Sequence, residues 1–129
     1  MTSLNHPLSP HLQIWKWHIT MLVSILHRAT GVFLSFGALC LSYWLLCVAA
    51  GPDAYANISR YTNAWFGRLM LILFVFSFFF HLCNGIRHLF WDVGMGFEKE
   101  SADRTAYTVI LASVILTFFS CLIGLGGAV

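Results

Sequence analysis

A group of polar and small residues inside a strongly apolar segment could do chemistry. His81, Gly85 and His88 recur at helical spacing and so share one face of a helix, with Asn84 close beside them. Gly85 leaves room on this face for a bulky group just below His81. A histidine in an apolar segment is costly without a partner, so it predicts a functional site. We interpret His81 as a ligand of a haem iron; the alternative is a histidine hydrogen-bonded within a helix bundle.

His81 and His88 cannot both ligate one iron. They are seven residues apart, a rise of about 10 Å, whereas axial nitrogens on opposite sides of an iron are roughly 4 Å apart. No second histidine is expected at comparable depth, because the third apolar segment has none and His27 is near an interface. An iron at His81 therefore implies an opposite ligand from another polypeptide or from a second copy of this one.

A second polar group lies near the start of the first apolar segment. Ser24 and Arg28 are four residues apart and are neighbours on one helical face, with His27 next to it. A hydroxyl, an imidazole and a guanidinium here suit a polar head group entering from lipid, or an anion such as a haem propionate. The alternative is that Arg28 reaches lipid head groups and Ser24 bonds its own backbone. Thr30 and Gly31, which follow, predict a slim surface where a neighbouring helix can approach.

Two charged residues mark the predicted exit of the second apolar segment from the lipid. Asp92 follows Arg87 by five residues and is within predicted reach of it, and of Arg28 across the helix pair. Such a carboxylate could orient an arginine or pass protons. We expect most of the charge in the connection that follows to be solvated.

Composition indicates the elements that position these residues. Of 129 residues, 59% are hydrophobic and 9% charged, whereas soluble proteins carry about 25% charged residues. Three stretches of the sequence lack charged residues, and a helix of about 20 apolar residues is long enough to cross a bilayer. The sequence predicts an all-α membrane protein with three transmembrane helices in a single domain, residues 1–129. The predicted parts are an interfacial lead over 1–20 and spans over 21–50, 64–91 and 105–127.

Positive charge predicts the orientation of these spans. Five of the seven basic residues fall on one side of the predicted membrane: Lys16, Arg28, Arg87, Lys99 and Arg104. By the positive-inside rule, the N-terminus faces the cytoplasm or an organelle matrix and the C-terminus faces outward. The lead lacks the pattern of a cleavable signal or transit peptide, so we expect a bacterial inner (plasma) membrane rather than a mitochondrial one.

The remaining segments predict structure rather than chemistry. The four cysteines lie in apolar segments without a Cys-x-x-Cys pair, which argues against an iron–sulfur cluster or a covalently attached haem. Turn and cap residues predict a short outer connection over residues 51–63, without a site. The third span has no ionisable group within it and is predicted to be a packing helix.

Three segments resemble the cytochrome b membrane-anchor subunit of succinate dehydrogenase, the larger of two small anchors in respiratory complex II. They run from Pro7 to Ile14, from Ser24 to Gly31, and from His81 to Gly94, the last reading HLCNGIRHLFWDVG. The second and third segments, at this separation, are specific to the family, and the resemblance covers nearly the whole chain. The chain departs from the family at His6, where arginine often stands, which affects only a surface contact.

The resemblance implies a haem b shared with the second anchor subunit. His81 matches one axial ligand, and a histidine of that subunit supplies the other. The groups implied near the haem propionates are His27, Arg28 and His88. The residues implied at a ubiquinone site are Ser24, Ile25, Arg28 and Asp92.

The resemblance also implies a path for electrons. They leave succinate at a flavin in the flavoprotein subunit and pass through the iron–sulfur subunit to ubiquinone at the inner membrane edge. Ser24 would hydrogen-bond a quinone carbonyl, Arg28 would favour the negatively charged, part-reduced quinone, and Asp92 could assist protonation. This polypeptide performs no dehydrogenation itself.

Three alternatives stay open at this point. One is a structural three-helix anchor without haem, and another is a fumarate reductase anchor. A small transporter or channel subunit would place polar residues along a span, whereas here they cluster at one predicted membrane face.

Overall fold

The computed structural model describes residues 7–126, with side chains to residue 124. Within that range the chain forms a short 3₁₀ turn and four α-helices, with no strand, which confirms the all-α prediction. His6 and the last residue of the predicted third span, residue 127, lie outside the described residues. The elements are a 3₁₀ turn at His11–Ile14, α1 at Ile19–Ala50, α2 at Pro52–Asn63, α3 at Trp65–Asp92 and α4 at Lys99–Gly126.

Three of these helices are long and apolar enough to cross a membrane. They are α1, α3 and α4, with 32, 28 and 28 residues. A helix of 28 residues is about 42 Å long, against about 30 Å for the hydrocarbon core, so its ends reach the head groups. The prediction of three transmembrane helices is confirmed.

The outer connection differs from the prediction of turns. Residues 52–63 form α2, a 12-residue helix. Pro52 begins it, where the fixed φ of proline suits a helix and its missing N–H is not needed. Asp53 in the first turn and Arg60 in the last both complement the helix dipole. Proline and aspartate serve turns and helix starts alike, so the sequence pattern was ambiguous.

The inner connection is shorter than the charge pattern predicted, because α4 already begins at Lys99. Glu100 and Arg104, one turn apart on α4, form an ion pair of 2.6 Å, which favours helix in this charged stretch. The remaining turn contains Gly94 and Gly96, both with positive φ, a conformation that glycine adopts without strain. The indole N–H of Trp91 donates to the carbonyl of Gly96 at 3.2 Å and fixes the turn against α3.

Helix α3 packs against both α1 and α4. A small apolar core joins the three helices: Val23, Phe80, Ala106 and Val109. Contact with α1 depends on small residues, since a Cβ at Gly37 would overlap the ring of Phe74. Most other large apolar side chains are exposed on the chain alone. These surfaces are available to lipid or to partner subunits.

Candidate functional site

The side chain of His81 on α3 is fixed by the backbone of α1. Its Nδ1 lies 3.1 Å from the carbonyl oxygen of His27 and 3.4 Å from Oγ1 of Thr30. A carbonyl oxygen can only accept, so Nδ1 carries the proton and donates it. In the neutral ring Nε2 is then the nitrogen with a free lone pair. The arrangement presents an unprotonated imidazole nitrogen from a membrane-spanning helix.

The hydroxyl of Thr30 supports the same assignment. It lies 2.8 Å from the carbonyl of Leu26 and 3.0 Å from that of His27, so its own proton is directed to its helix. Its oxygen can therefore accept from Nδ1 of His81. The hydroxyl oxygen of Thr30 and the carbonyl oxygen of His27 are thus two acceptors for the Nδ1–H group of His81.

Gly31 gives the ring of His81 room to lie against α1. A Cβ at Gly31 would approach Cε1 of His81 at 3.0 Å, closer than ordinary van der Waals contact. The sequence predicted a slim surface for a neighbouring helix at Thr30 and Gly31, and this contact confirms it.

Three imidazoles meet where α1 and α3 cross. The rings of His27 and His81 are stacked, with centroids 4.0 Å apart and planes at 13°, and His88 lies 5.2 Å from His27. Within the described residues, Nδ1 of His27 is buried and has no hydrogen-bond partner. No group of three or more metal-ligating side chains in that part of the chain could hold an ion by itself. The cluster brings His81 together with His27 and His88, two of the three residues that the resemblance implied near haem propionates.

The predicted quinone residues on α1 lie on its surface. Ile25 and Arg28 are exposed and Ser24 is half-buried. Neither the Ser24 hydroxyl nor the Arg28 guanidinium bonds to another described residue, so the backbone bond considered for Ser24 is not formed. Ser24 and Arg28 keep their donors available on one face of α1.

Asp92 lies apart from these residues in its interactions. It is exposed at the end of α3, and it forms no ion pair with Arg87 or Arg28 among the residues the structure describes. Five residues along a helix rotate a side chain by about 140°, so Asp92 and Arg87 face different directions. The predicted Arg87–Asp92 contact is wrong for this reason.

Arg87 itself is buried rather than at the lipid exit. It is 5% exposed, between α3 and α4. Its nitrogens donate to Thr105 Oγ1 at 3.0 Å, to the Ala102 carbonyl at 3.1 Å and, more weakly, to Asn84 Oδ1 at 3.4 Å. Its guanidinium also lies 4.0 Å above the ring of Trp91.

Sequence similarity places this geometry in a known family. A family model described as the succinate dehydrogenase/fumarate reductase transmembrane subunit matches residues 2–120. The chain belongs to this family. The family match confirms the predicted relationship to the cytochrome b membrane anchor of complex II.

Individual relatives agree with the family match. The succinate dehydrogenase cytochrome b556 subunit of Rickettsia bellii is 42% identical over 111 residues, 86% of each chain. That of Paracoccus denitrificans is 34% identical over 119 residues, 92% of each chain. The mitochondrial cytochrome b560 subunit of Bos taurus is 32% identical over 118 residues, 88% of this chain and 69% of its own. The bacterial relatives and the three spans agree with a multi-pass protein of a bacterial inner membrane.

Sequence reasoning about this family member missed the environment of Arg87. An available signal was the spacing of Asn84, Arg87 and Trp91, which places all three on adjoining turns of one face. A count of charges along the sequence assigns every arginine to a point where a helix leaves the membrane. A buried arginine differs by having acceptors at helical spacing on its own helix or on a neighbour.

Proposed function

We propose that this succinate dehydrogenase anchor binds haem b and forms part of the ubiquinone-reduction site. The single observation that carries the haem proposal is the Nδ1–H bond from His81 to the carbonyl of His27, at 3.1 Å. It leaves Nε2 as the unprotonated nitrogen, which is the form that ligates iron. The name cytochrome b of the relatives supports the same cofactor.

The surroundings of His81 fit a haem. Among the described residues, no heavy atom other than those of the adjoining residues and the nearby backbone of α3 would lie within 4 Å of a Cβ at Gly85, so the face below His81 has open space. Nε2 of His81 would hold the iron, and a histidine of the second anchor subunit would complete the coordination. His27, Arg28 and His88 would lie toward the propionates, where a buried unpaired Nδ1 on His27 is a suitable donor or acceptor.

The chemistry that a bound haem supplies is reversible one-electron storage. This chain's own contribution is to hold the imidazole in one tautomer and one orientation. The two acceptors on α1 restrain rotation of the His81 ring. By attracting the Nδ1 proton they leave more electron density on the ring and so raise its basicity as a ligand.

Ubiquinone would bind on the face of α1 that carries Ser24 and Arg28. The Ser24 hydroxyl would donate to a quinone carbonyl, and Arg28 would stabilise the negative charge that develops on the oxygen as electrons arrive. Ile25, half exposed, would contact the apolar ring, and Asp92 would pass protons through water. The electrons would come from the flavoprotein subunit through the iron–sulfur subunit.

An optical spectrum of the purified complex tests the haem proposal. His81→Ala should remove the haem b band from the reduced-minus-oxidised spectrum, while all subunits still co-purify. His18→Ala is the matched control, because His18 is an exposed histidine just before α1. A band retained in His81→Ala would show that His81 is not a haem ligand, and a wild-type complex without a haem b band would favour the structural anchor without haem.

The direction of electron flow has a second candidate. The family model covers fumarate reductase anchors as well as succinate dehydrogenase. The relatives described above are all named succinate dehydrogenase subunits, which favours succinate oxidation. Comparing succinate–quinone and quinol–fumarate rates of the purified complex separates the two.

A further inference from the structure

The buried guanidinium of Arg87 forms no ion pair with a carboxylate. Among the described residues its three hydrogen-bond acceptors are neutral oxygens, and the ion pair found there joins Arg104 to Glu100. Burying a positive charge is costly unless an opposite charge or several polar groups compensate it. Its three polar acceptors compensate the buried group, but no anion in contact neutralises its positive charge.

Two other groups compensate Arg87 only in part. The Trp91 ring lies 4.0 Å from its guanidinium carbon and attracts a cation. Asp103 on α4 attracts it from beyond the 4.0 Å of an ion pair. A guanidinium has five N–H donors, and three have acceptors within the described residues. Two donors remain for a ligand.

A cavity of about 390 Å³ adjoins Arg87 between α3 and α4. Near the turn between α3 and α4 it is lined by Arg87 with the hydroxyl-bearing Ser101 and Thr105, and also by the apolar Trp91 and Met95. Further along the two helices it is lined by Cys83, Ile86 and Val109. Cys83 precedes Arg87 by four residues, about 6 Å deeper along α3. A few polar groups near one end of a mostly apolar cavity match an anionic head group joined to apolar chains.

We propose that this cavity binds an anionic phospholipid. The lipid phosphate accepts from the two remaining donors of Arg87 and from the Ser101 hydroxyl. The first part of an acyl chain lies between Ile86 and Val109. Basic pockets between transmembrane helices on the cytoplasmic side commonly recognise anionic head groups in this way.

Charge and shape favour this occupant over the others. A zwitterionic lipid adds no net negative charge to Arg87, and a free phosphate ion leaves the apolar end unfilled. An apolar helix of a partner subunit would cover the apolar end but would supply no charge. The volume of the cavity equals that of about thirteen water molecules at ~30 Å³ each. This is enough for a phosphate group and the adjoining methylenes. The rest of the lipid would lie on exposed apolar side chains of α3 and α4 such as Phe90.

The site is distinct from the proposed quinone face. Ser24 and Arg28 belong to α1, whereas the cavity is formed by α3, α4 and the turn between them. The lipid proposal therefore does not depend on haem or quinone binding. It requires only that the chain assembles with its complex.

Native mass spectrometry of the detergent-purified complex tests the proposal. The complex is incubated with mixed micelles containing dioleoyl phosphatidylglycerol or dioleoyl phosphatidylcholine, and retained lipids are counted. We expect phosphatidylglycerol to be retained over phosphatidylcholine, and Arg87→Gln to lower that preference about tenfold, as for loss of a charge-assisted hydrogen bond. Arg104→Gln is the control, because its side chain is 78% exposed on the same part of α4.

A second variant covers the case in which Arg87→Gln fails to assemble. Thr108 is exposed and lines the cavity, so Thr108→Trp should fill the cavity while leaving Arg87 and its bonds in place. We expect the same loss of phosphatidylglycerol with normal assembly. Three outcomes would overturn the proposal: equal retention in wild type and Thr108→Trp, displacement of the lipid by sn-glycerol 3-phosphate alone, or loss of a partner subunit in place of lipid.

Discussion

The imidazole of His81 on α3 donates a hydrogen bond to the main-chain carbonyl of His27 on α1, over 3.1 Å. One bond thus joins two membrane-spanning helices and selects the ring tautomer. Because the acceptor belongs to the backbone, the bond does not depend on the side chain at position 27. The orientation of the proposed ligand is a property of how α1 and α3 pack.

Thr30→Val should weaken haem binding without removing it. Valine keeps the shape of threonine but cannot accept from Nδ1 of His81, which loses its 3.4 Å contact and keeps the His27 carbonyl. Loss of an outer hydrogen bond to a ligating histidine costs about tenfold in affinity, at the low end of its range. Haem per complex, measured as pyridine haemochrome after detergent washing, checks this. Thr62→Val, whose hydroxyl bonds Ser59 on α2, should retain full haem.

Gly31→Val should displace the ring of His81. Even a Cβ at position 31 would come within 3.0 Å of Cε1, and the two added methyl groups must force the ring or the helix aside. We expect a reduced or shifted haem b band in an assembled complex. An unchanged band would contradict the idea that this close approach sets the ring position.

Gly85→Leu should block haem binding without disturbing the packing of the chain's own helices. In the part of the chain that the structure describes, a Cβ at Gly85 would meet no neighbouring group within 4 Å, so the helices should fold and pack normally. A leucine there occupies the open face below His81, and haem should be lost. Gly124→Leu, another glycine whose Cβ would meet nothing, serves as the control. Normal haem content in Gly85→Leu would place the haem on another face.

Arg28→Leu should separate quinone reduction from succinate oxidation. Removing a group that stabilises developing negative charge costs about a hundredfold in rate, so the succinate–ubiquinone rate should fall by that order. Succinate oxidation with a soluble dye acceptor should persist. Arg60→Leu, an exposed arginine on α2, should leave both activities unchanged. If Arg28→Leu also leaves both intact, Arg28 only anchors the chain to head groups.

The sequence was sufficient for the spans because gaps in charge report directly on the length of apolar helix. It was also sufficient for the approach of a helix to Thr30 and Gly31, since small residues leave space that packing must fill. It could not identify the carbonyl of His27 as the partner of His81. Every residue carries the same main-chain carbonyl acceptor, so the sequence does not indicate which carbonyl is used. Only the relative position of the two helices shows this.

Two of the errors have separate physical causes. Residues 52–63 share turn and helix-start chemistry, and the amphipathic packing of α2 against its neighbours decides between them. Arg87 was assigned to the membrane exit because a lone charge is costly in lipid. Its actual solution requires Thr105 and the Ala102 carbonyl of another helix, which charge counting along one segment does not consider.

The tight turn between α3 and α4 has a consequence for how the protein enters the bilayer. Until α4 arrives, Arg87 has no Thr105 hydroxyl or Ala102 carbonyl to accept its hydrogen bonds, and an arginine facing lipid is costly. With Gly94 and Gly96 reversing the chain over six residues, 93–98, its partners are synthesised directly after it. We therefore expect α3 and α4 to insert into the bilayer together as a helical hairpin, in which α4 holds α3 in the membrane.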